Sequence, residues 1–312
     1  AGSGRLVVVG GEAGVGKTRL CEELASLARQ RGASVAWVAC WDSAGLPPFW
    51  PWRQLIEQLA GADPFAIFAI DEASFDVARA RLAATVGERL RSAARGSPVA
   101  IVVDDVQWAD DGSLELLVHV APLLRSMGVL LVTTLRDPGM VWSTLGHGLL
   151  RQASRLGLLG LALDELGELV EMLTGSRPAE ETIRTLHRLS AGNPLFAAEL
   201  VRHLSREGRL DRLSTADELS IPPSVRAVLG ERLAGVSGAC RQLLSIGAIV
   251  GAEFRVGLVA DVADRTHVDA LRDLQEAVDG AVILRSGVDR CAFAHPLLRS
   301  VLRDDIGVAR RM

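Results

Sequence analysis

The sequence predicts an α/β protein, a parallel sheet covered by helices on both faces and followed by a run of helices and a small hairpin. Three observations predict it. Short apolar strands alternate with helical repeats over the first half, the loop after the first strand has the phosphate-binding spacing G-x-x-x-x-G-K-[ST], and the strand signal fades from Asp164 onward. Strands separated by helices pair in parallel, because each crossover helix returns the chain to the same end of the sheet before the next strand begins.

Residues 5–9 form a short apolar strand running into the glycine-rich loop, and 17–29 carry apolar side chains at Leu20, Leu24 and Leu27, a helical repeat. Strands are expected over 34–39, 99–103 and 129–134, with helices over 75–94 and 113–127 between them, and a fifth strand near 156–161. Beyond Asp164, helices are expected over 165–174, 180–190 and 194–205. The pair Pro222-Pro223 then breaks the pattern, since paired prolines disfavour continued helix. Helices follow around 224–233, 239–250 and 266–279. Two short strands, 281–285 and 290–293, precede a last helix over 296–303. Helices followed by a small hairpin read as a winged-helix module.

The loop after the first strand reads Gly11-Glu12-Ala13-Gly14-Val15-Gly16-Lys17-Thr18. Lys17 is the only lysine of the chain, and the remaining 33 of its 34 basic residues are arginine. Keeping lysine here alone points to a need for a compact charge that fits between phosphates, where a planar guanidinium would not. Glycines let consecutive backbone N–H groups curl around an anion, and the helix start adds a positive dipole end. Gly11, Gly14, Val15, Gly16, Lys17 and Thr18, with Arg19 on the first helical turn, are therefore the candidate nucleotide-binding set, with the Thr18 hydroxyl as a Mg²⁺ ligand. An ordinary glycine turn is the alternative.

A second motif, Ala100-Ile101-Val102-Val103-Asp104-Asp105, is an apolar strand ending in two carboxylates. Groups at the C-terminal ends of parallel strands face the ligand crevice. Asp104 is expected to hold Mg²⁺ through water, and Asp105 to orient or deprotonate the attacking water; a helix cap is the alternative. The fourth strand ends Thr133-Thr134-Leu135-Arg136-Asp137, where a polar residue and Arg136 beside the carboxylate strand could sense a γ-phosphate, or Arg136 could pair with Asp137. Lys17, Asp104, Asp105 and Arg136 are thus the candidate catalytic residues.

Composition narrows the classes. A formal net charge of -4 argues against a broad nucleic-acid footprint, which needs an excess of basic residues. The four cysteines form no CxxC pair, so buried thiols in a reducing cytoplasm are expected rather than zinc or disulfides. No apolar run approaches the ~20 residues that span a bilayer, and no signal peptide is visible; a cytoplasmic protein without a membrane partner is expected. The start at Ala1, without methionine, suggests an excised fragment. Trp41, Phe49, Trp50 and Trp52, interleaved with Pro47, Pro48 and Pro51, either fill the base of an insertion packed on the sheet or offer a partner surface. Basic residues near the C-terminus, including Arg272, Arg285 and Arg290, alternate with acids and read as a solvated face.

Residues 10–20, the run Val102-Val103-Asp104-Asp105-Val106-Gln107-Trp108-Ala109-Asp110 with Ser113-Leu114-Glu115-Leu116-Leu117 behind it, and Gly192-Asn193-Pro194-Leu195-Phe196 together resemble the ATPase core of large bacterial regulators. These are the STAND-class nucleotide switches of the AAA-like branch, as in large LuxR-family and SARP-type transcriptional activators. The resemblance extends through 221–233 and 293–302. It implies a P-loop NTPase α/β domain over 1–162, a helical subdomain over 163–220 and a winged-helix domain over 221–312.

The resemblance also implies an ATPase with slow, switch-like hydrolysis, using ATP/ADP and Mg²⁺. Its nucleotide state would control domain arrangement or self-association on activation, in answer to an effector that the sequence does not identify. DNA would be bound only through domains absent from this chain. Pro194 would match a proline that packs near the nucleotide, though Asn193 capping a helix that Pro194 starts would explain both residues. His295 resembles a winged-helix histidine that contacts the ADP β-phosphate. Here it is followed by Pro296 rather than an acid, and a histidine at a helix start would serve as well. The upstream segment that contacts adenine in the family is not expected in this chain. A robust ATPase acting on nucleic acid or protein substrates, and a nucleotide-dependent scaffold, are the rival readings.

Overall fold

The computed structural model describes residues 3–41, 46–60, 68, 75–136, 144–210 and 221–306. Its described residues up to Leu158 form one compact unit, and those from Leu159 onward form another.

In the first unit the elements run β1 (Arg5–Gly11), α1 (Lys17–Gln30), β2 (Ser34–Ala39), α2 (Trp50–Ala60), α3 (Phe75–Ala93), β3 (Val99–Asp104), a 3₁₀ turn (Val106–Trp108), α4 (Asp111–Leu124), β4 (Val129–Arg136), α5 (Thr144–Gln152) and β5 (Ser154–Gly157). The five strands pair in parallel in the order β2-β3-β4-β1-β5. Every residue of β3 is buried, as expected of a strand covered on both faces. Alternation sorts its side chains: Ile101 and Val103 join the large core with Leu55, Leu90 and Leu124 of α2, α3 and α4, while Val102 meets Val9, Val132 and Cys21 of α1. Because β4 lies between β1 and β3, its C-terminal end falls between the glycine loop and the paired aspartates. Gly11 pairs with Arg136, and Val103 with Thr133.

Two expectations are corrected in this unit. The fifth strand occupies Ser154–Gly157 rather than 156–161; all four of its residues are exposed, so this edge strand carries no apolar signal. The helix expected over 113–127 runs from Asp111 to Leu124, because the Asp110 carboxylate caps it by accepting the Ser113 N–H at 2.9 Å. The tryptophan–proline cluster starts a helix, α2, in which Pro51 sits in the first turn where its missing N–H costs nothing. Trp52 is buried and its Nε1 donates to the Ser113 carbonyl at 3.0 Å, whereas Trp41 remains about half exposed. Asp137 and the segment after it lie outside the described residues.

In the second unit, α6 (Leu163–Thr174), α7 (Glu180–Ser190) and α8 (Pro194–Arg206) pack around Leu166, Ile183, Leu186 and Leu200. Another core gathers α9 (Pro223–Ala234), α10 (Gly238–Val250), α11 (Val256–Val262), α12 (His267–Asp279) and α13 (Pro296–Asp305) with a three-stranded antiparallel sheet. That sheet has the order β6-β8-β7, from β6 (Glu253–Arg255), β7 (Ile283–Arg285) and β8 (Arg290–Phe293). β6 is a correction, since only two strands were expected; at three residues it is too short to show an alternation. The Ser224 hydroxyl of α9 donates to Glu199 of α8 and holds that carboxyl below its ordinary value. Among the described residues no helix is long and apolar enough to cross a membrane.

All four cysteines are buried and unpaired with one another. Burial, seconded by nearby carboxylates, pushes Cys21 up to about 11 and Cys40 and Cys240 up to about 12. The folded chain therefore holds these protons more tightly than the unfolded chain, whose thiols titrate near 9.0. Their contribution to stability is complete below that value and is lost as pH rises through about 11 to 12. Urea midpoints should accordingly fall between about pH 8 and about pH 10.5, and a thiol reagent should label the four cysteines only after unfolding.

Candidate functional site

Between β1 and α1 the chain doubles back through Gly14 and Gly16, which have φ of 82° and 106°, the left-handed region that glycine enters without strain. Gly16 is the N-cap of α1 and brings no side chain to it. A Cβ on Gly11 would stand 2.9 Å from the Leu158 carbonyl oxygen and 2.9 Å from Val15 Cγ1, so the backbone passes where no side chain fits. The opening N–H groups of α1 lack helical partners and, with the helix dipole, form a cradle for an anion. Lys17 is only 7% exposed, and its Nζ donates to the carbonyls of Gly11 at 2.9 Å and Glu12 at 3.0 Å. The ammonium thus lies along the loop it follows.

Across the sheet, Asp104 ends β3 and is itself only 7% exposed. One oxygen accepts the Thr18 hydroxyl at 2.9 Å and the other accepts the Thr134 hydroxyl. Thr134 Oγ1 in turn accepts the backbone N–H of Asp105 at 2.7 Å. Asp104 and Thr134 share the sheet face covered by α1, as their alternation with Val103 and Thr133 requires. Asp105 adopts a left-handed backbone, φ 54° and ψ 49°, which aspartate tolerates better than most residues.

The 3₁₀ turn that follows supplies two further contacts. The Gln107 amide donates through Nε2 to Asp105 Oδ1 at 3.0 Å and accepts the Arg136 N–H through Oε1 at 3.2 Å. The Arg136 guanidinium lies over the Trp108 ring, 5.9 Å from its centroid. Thr18, Asp104, Asp105, Arg136 and the lysine loop are therefore brought to one end of the sheet. Arg19 pairs on the surface with Glu22 and Glu23 of its own helix, an arrangement of little energetic weight.

Sequence reasoning missed Gln107, and it pointed to a polar residue at the end of the fourth strand without choosing between Thr133 and Thr134 or assigning a hydrogen bond to Asp104. The structure gives that bond to Thr134, which is wholly buried. Gln107 carried no signal, because its place depends on the left-handed turn at Asp105.

Pro194 and His295 belong to the second unit. Asn193 caps α8 through its side chain, which accepts the Leu195 N–H at 3.1 Å, and Pro194 is the first helical residue. His295 is fully buried: Nδ1 accepts the Leu297 N–H at 3.1 Å, so Nε2 bears the proton and donates to the Ser190 carbonyl at 2.8 Å. The Phe196 ring meets the imidazole edge-on at 4.8 Å.

The donor chemistry around Thr18 and Asp104 fits Mg²⁺. Both present hard oxygens, and Mg²⁺ characteristically takes one or two protein oxygens together with substrate phosphates. Among the described residues no group of three or more His, Cys, Asp or Glu could hold a metal ion by itself.

A glycine loop shaped for an anion, with a lysine, a hydroxyl and a strand-end carboxylate around it, is the arrangement of a P-loop nucleotide-binding domain. Comparison with known proteins agrees: residues 1–132 match the family model described as an AAA ATPase domain. A Walker-type ATPase of Pyrococcus abyssi has a similar fold, with a TM-score of 0.62 and 15% identity over 96% of this chain and 91% of that one. A STAND protein with a tetratricopeptide repeat sensor from Pyrococcus horikoshii aligns at a TM-score of 0.44 and 19% identity, over 98% of this chain and 41% of that one. An uncharacterized protein of Rhizobium meliloti (strain 1021) is 26% identical over 304 residues. The alignment covers 83% of this chain but only 28% of that relative's length.

Thr134 should be the most sensitive structural residue of the site. Thr134→Val keeps the shape but strands both the Asp105 N–H and one lone pair of Asp104. Unfolding in urea should show a loss of about 1–3 kcal/mol, the cost of unsatisfied buried polar groups.

Proposed function

We propose that this chain is the ATP-binding, slowly ATP-hydrolysing switch module of a multidomain bacterial transcriptional activator, its nucleotide state controlling domain arrangement or self-association. The observation that carries the reading is the juxtaposition of the lysine-bearing glycine loop with Asp104 and Asp105 through the Thr18 and Thr134 hydroxyls. The AAA match over residues 1–132 supports the nucleotide class. The motif resemblance through Gly192-Asn193-Pro194 and 293–302 supports the switch.

In this reading Lys17 exchanges its two carbonyl partners for β- and γ-phosphate oxygens, which are stronger acceptors for an ammonium. Mg²⁺, held by Thr18 and Asp104, would neutralise phosphate charge. Asp105 takes the proton of the attacking water or orients it. Arg136 leaves the Trp108 ring for the γ-phosphate, so the two nucleotides are told apart by a contact only one of them offers. A ligand shifts a conformational equilibrium only through such differential affinity.

The three-part division at 162 and 220, the winged-helix character of the last part, and the cytoplasmic setting belong to the same proposal. So do the nucleotide roles of Pro194 and His295. His295 could meet a phosphate only by turning its Nε2–H away from the Ser190 carbonyl.

Two variants test the assignment. Lys17→Ala should weaken ATP binding by about 2–5 kcal/mol in calorimetry, since it removes one partner of a desolvated charge pair; unchanged affinity refutes the site. Asp105→Asn should bind ATP normally while phosphate release falls about 10²–10⁴-fold. The nucleotide freed by denaturing the purified protein separates a switch, which retains ADP, from a robust ATPase, whose turnover nucleic acid would stimulate strongly.

A further inference from the structure

The 3₁₀ turn Val106–Trp108 carries Gln107, whose amide reaches both the Asp105 carboxylate and the Arg136 N–H. We propose that Gln107 is the positioning residue of Asp105, fixing which carboxylate oxygen faces the reacting water; the proposal rests on the ATP-hydrolysing reading of the site.

Three features of the geometry lead there. First, the backbone of Asp105 is already fixed, by its left-handed conformation and by the bond from its N–H to Thr134. The freedom left to this residue is rotation of its side chain. Second, that rotation is restrained by Gln107 Nε2, which donates to Oδ1 at 3.0 Å, while Oδ2 has no hydrogen-bond partner among the described residues. The left-handed turn at Asp105 makes the contact possible, because it folds the chain back and returns Gln107 to the carboxylate two residues before it.

Third, the orientation of the Gln107 amide is determined. A side-chain amide has an acceptor end and a donor end, and its partners decide which faces which. The Arg136 N–H can only donate, at 3.2 Å, and it therefore claims Oε1. The NH₂ end is left for Asp105, which accepts. An amide held at both ends restrains its partner better than one held at a single end, because it spends no rotamer entropy when the substrate arrives.

The same amide connects Asp105 to the end of β4, the strand that carries Arg136. Whatever moves the backbone of Arg136 moves the carboxylate two strands from the lysine loop. The reacting group and the residue assigned to the γ-phosphate are thereby coupled by one side chain rather than by contact with each other.

The test uses the full chain and Gln107→Glu. This variant keeps the length and an acceptor for the Arg136 N–H, but it replaces the donor facing Asp105 with a carboxylate oxygen. Misplacement of a reacting group by about 1 Å costs on the order of 100-fold. kcat should fall about 10- to 100-fold while the affinity for a non-hydrolysable ATP analogue stays within about twofold. Gln107→Ala should fall similarly in the wild-type background and add nothing in the Asp105→Asn background. A merely structural role would lower both backgrounds by the same factor, and that result, or wild-type turnover in Gln107→Glu, overturns the proposal.

A spectroscopic arm is independent of turnover. In the nucleotide-free protein the Gln107 side-chain amide proton resonances should move when Asp105 is replaced by alanine, and an unmoved signal overturns the clamp. If the wild-type chain releases no phosphate, the hydrolytic reading is what has failed, and the clamp on Asp105 stands or falls by this signal alone.

Discussion

Burying the Asp104 carboxylate at the end of a strand with no exposed residue is the constraint on which the rest of the site depends. A desolvated carboxylate is costly unless its oxygens are taken. Here each is taken by a hydroxyl from a different neighbour, Thr18 from the start of α1 and Thr134 from the end of β4. One carboxylate thereby fixes the helix behind the glycine loop and the adjacent strand in a common register. The second bond of Thr134, to the Asp105 N–H, carries the same order into the turn that follows.

Strand order makes this possible. With β4 between β1 and β3, three consecutive strand ends deliver the loop, the threonine–arginine pair and the aspartates side by side. Each element keeps its own reason for being where it is, whether a fully apolar strand, a capped helix or a left-handed glycine. The chemistry comes from their ends, where irregular backbone is free to present polar groups. Trp52 and the Asp110 cap secure the far side of the aspartate turn by tying α2 to the start of α4.

Much of this was legible in the sequence. The glycine spacing and the apolar run ending in Asp104 and Asp105 mark chemistry by residue type, and four strands were placed to within two residues. What escaped has physical causes. β5 is an edge strand with every residue exposed, so the apolar run beyond it drew the expectation two residues downstream. β6 is too short to show a period, and α2 hides behind a proline that a first helical turn accepts. Gln107 could not be read at all, since its partners are created by the backbone turn at Asp105 rather than by spacing. His295 was legible as a polar residue before a helix, but not as one whose two ring nitrogens are both engaged by backbone groups.

The burial of Lys17 has a consequence for chemistry at the surface. These 312 residues carry one side-chain primary amine, and it is tucked against two carbonyls at 7% exposure. Every other cationic side chain apart from histidine is a guanidinium. Acyl donors and other amine-seeking reagents therefore find no lysine on the outside of this chain, and a protease that cuts after lysine has a single bond to attack, inside the glycine loop.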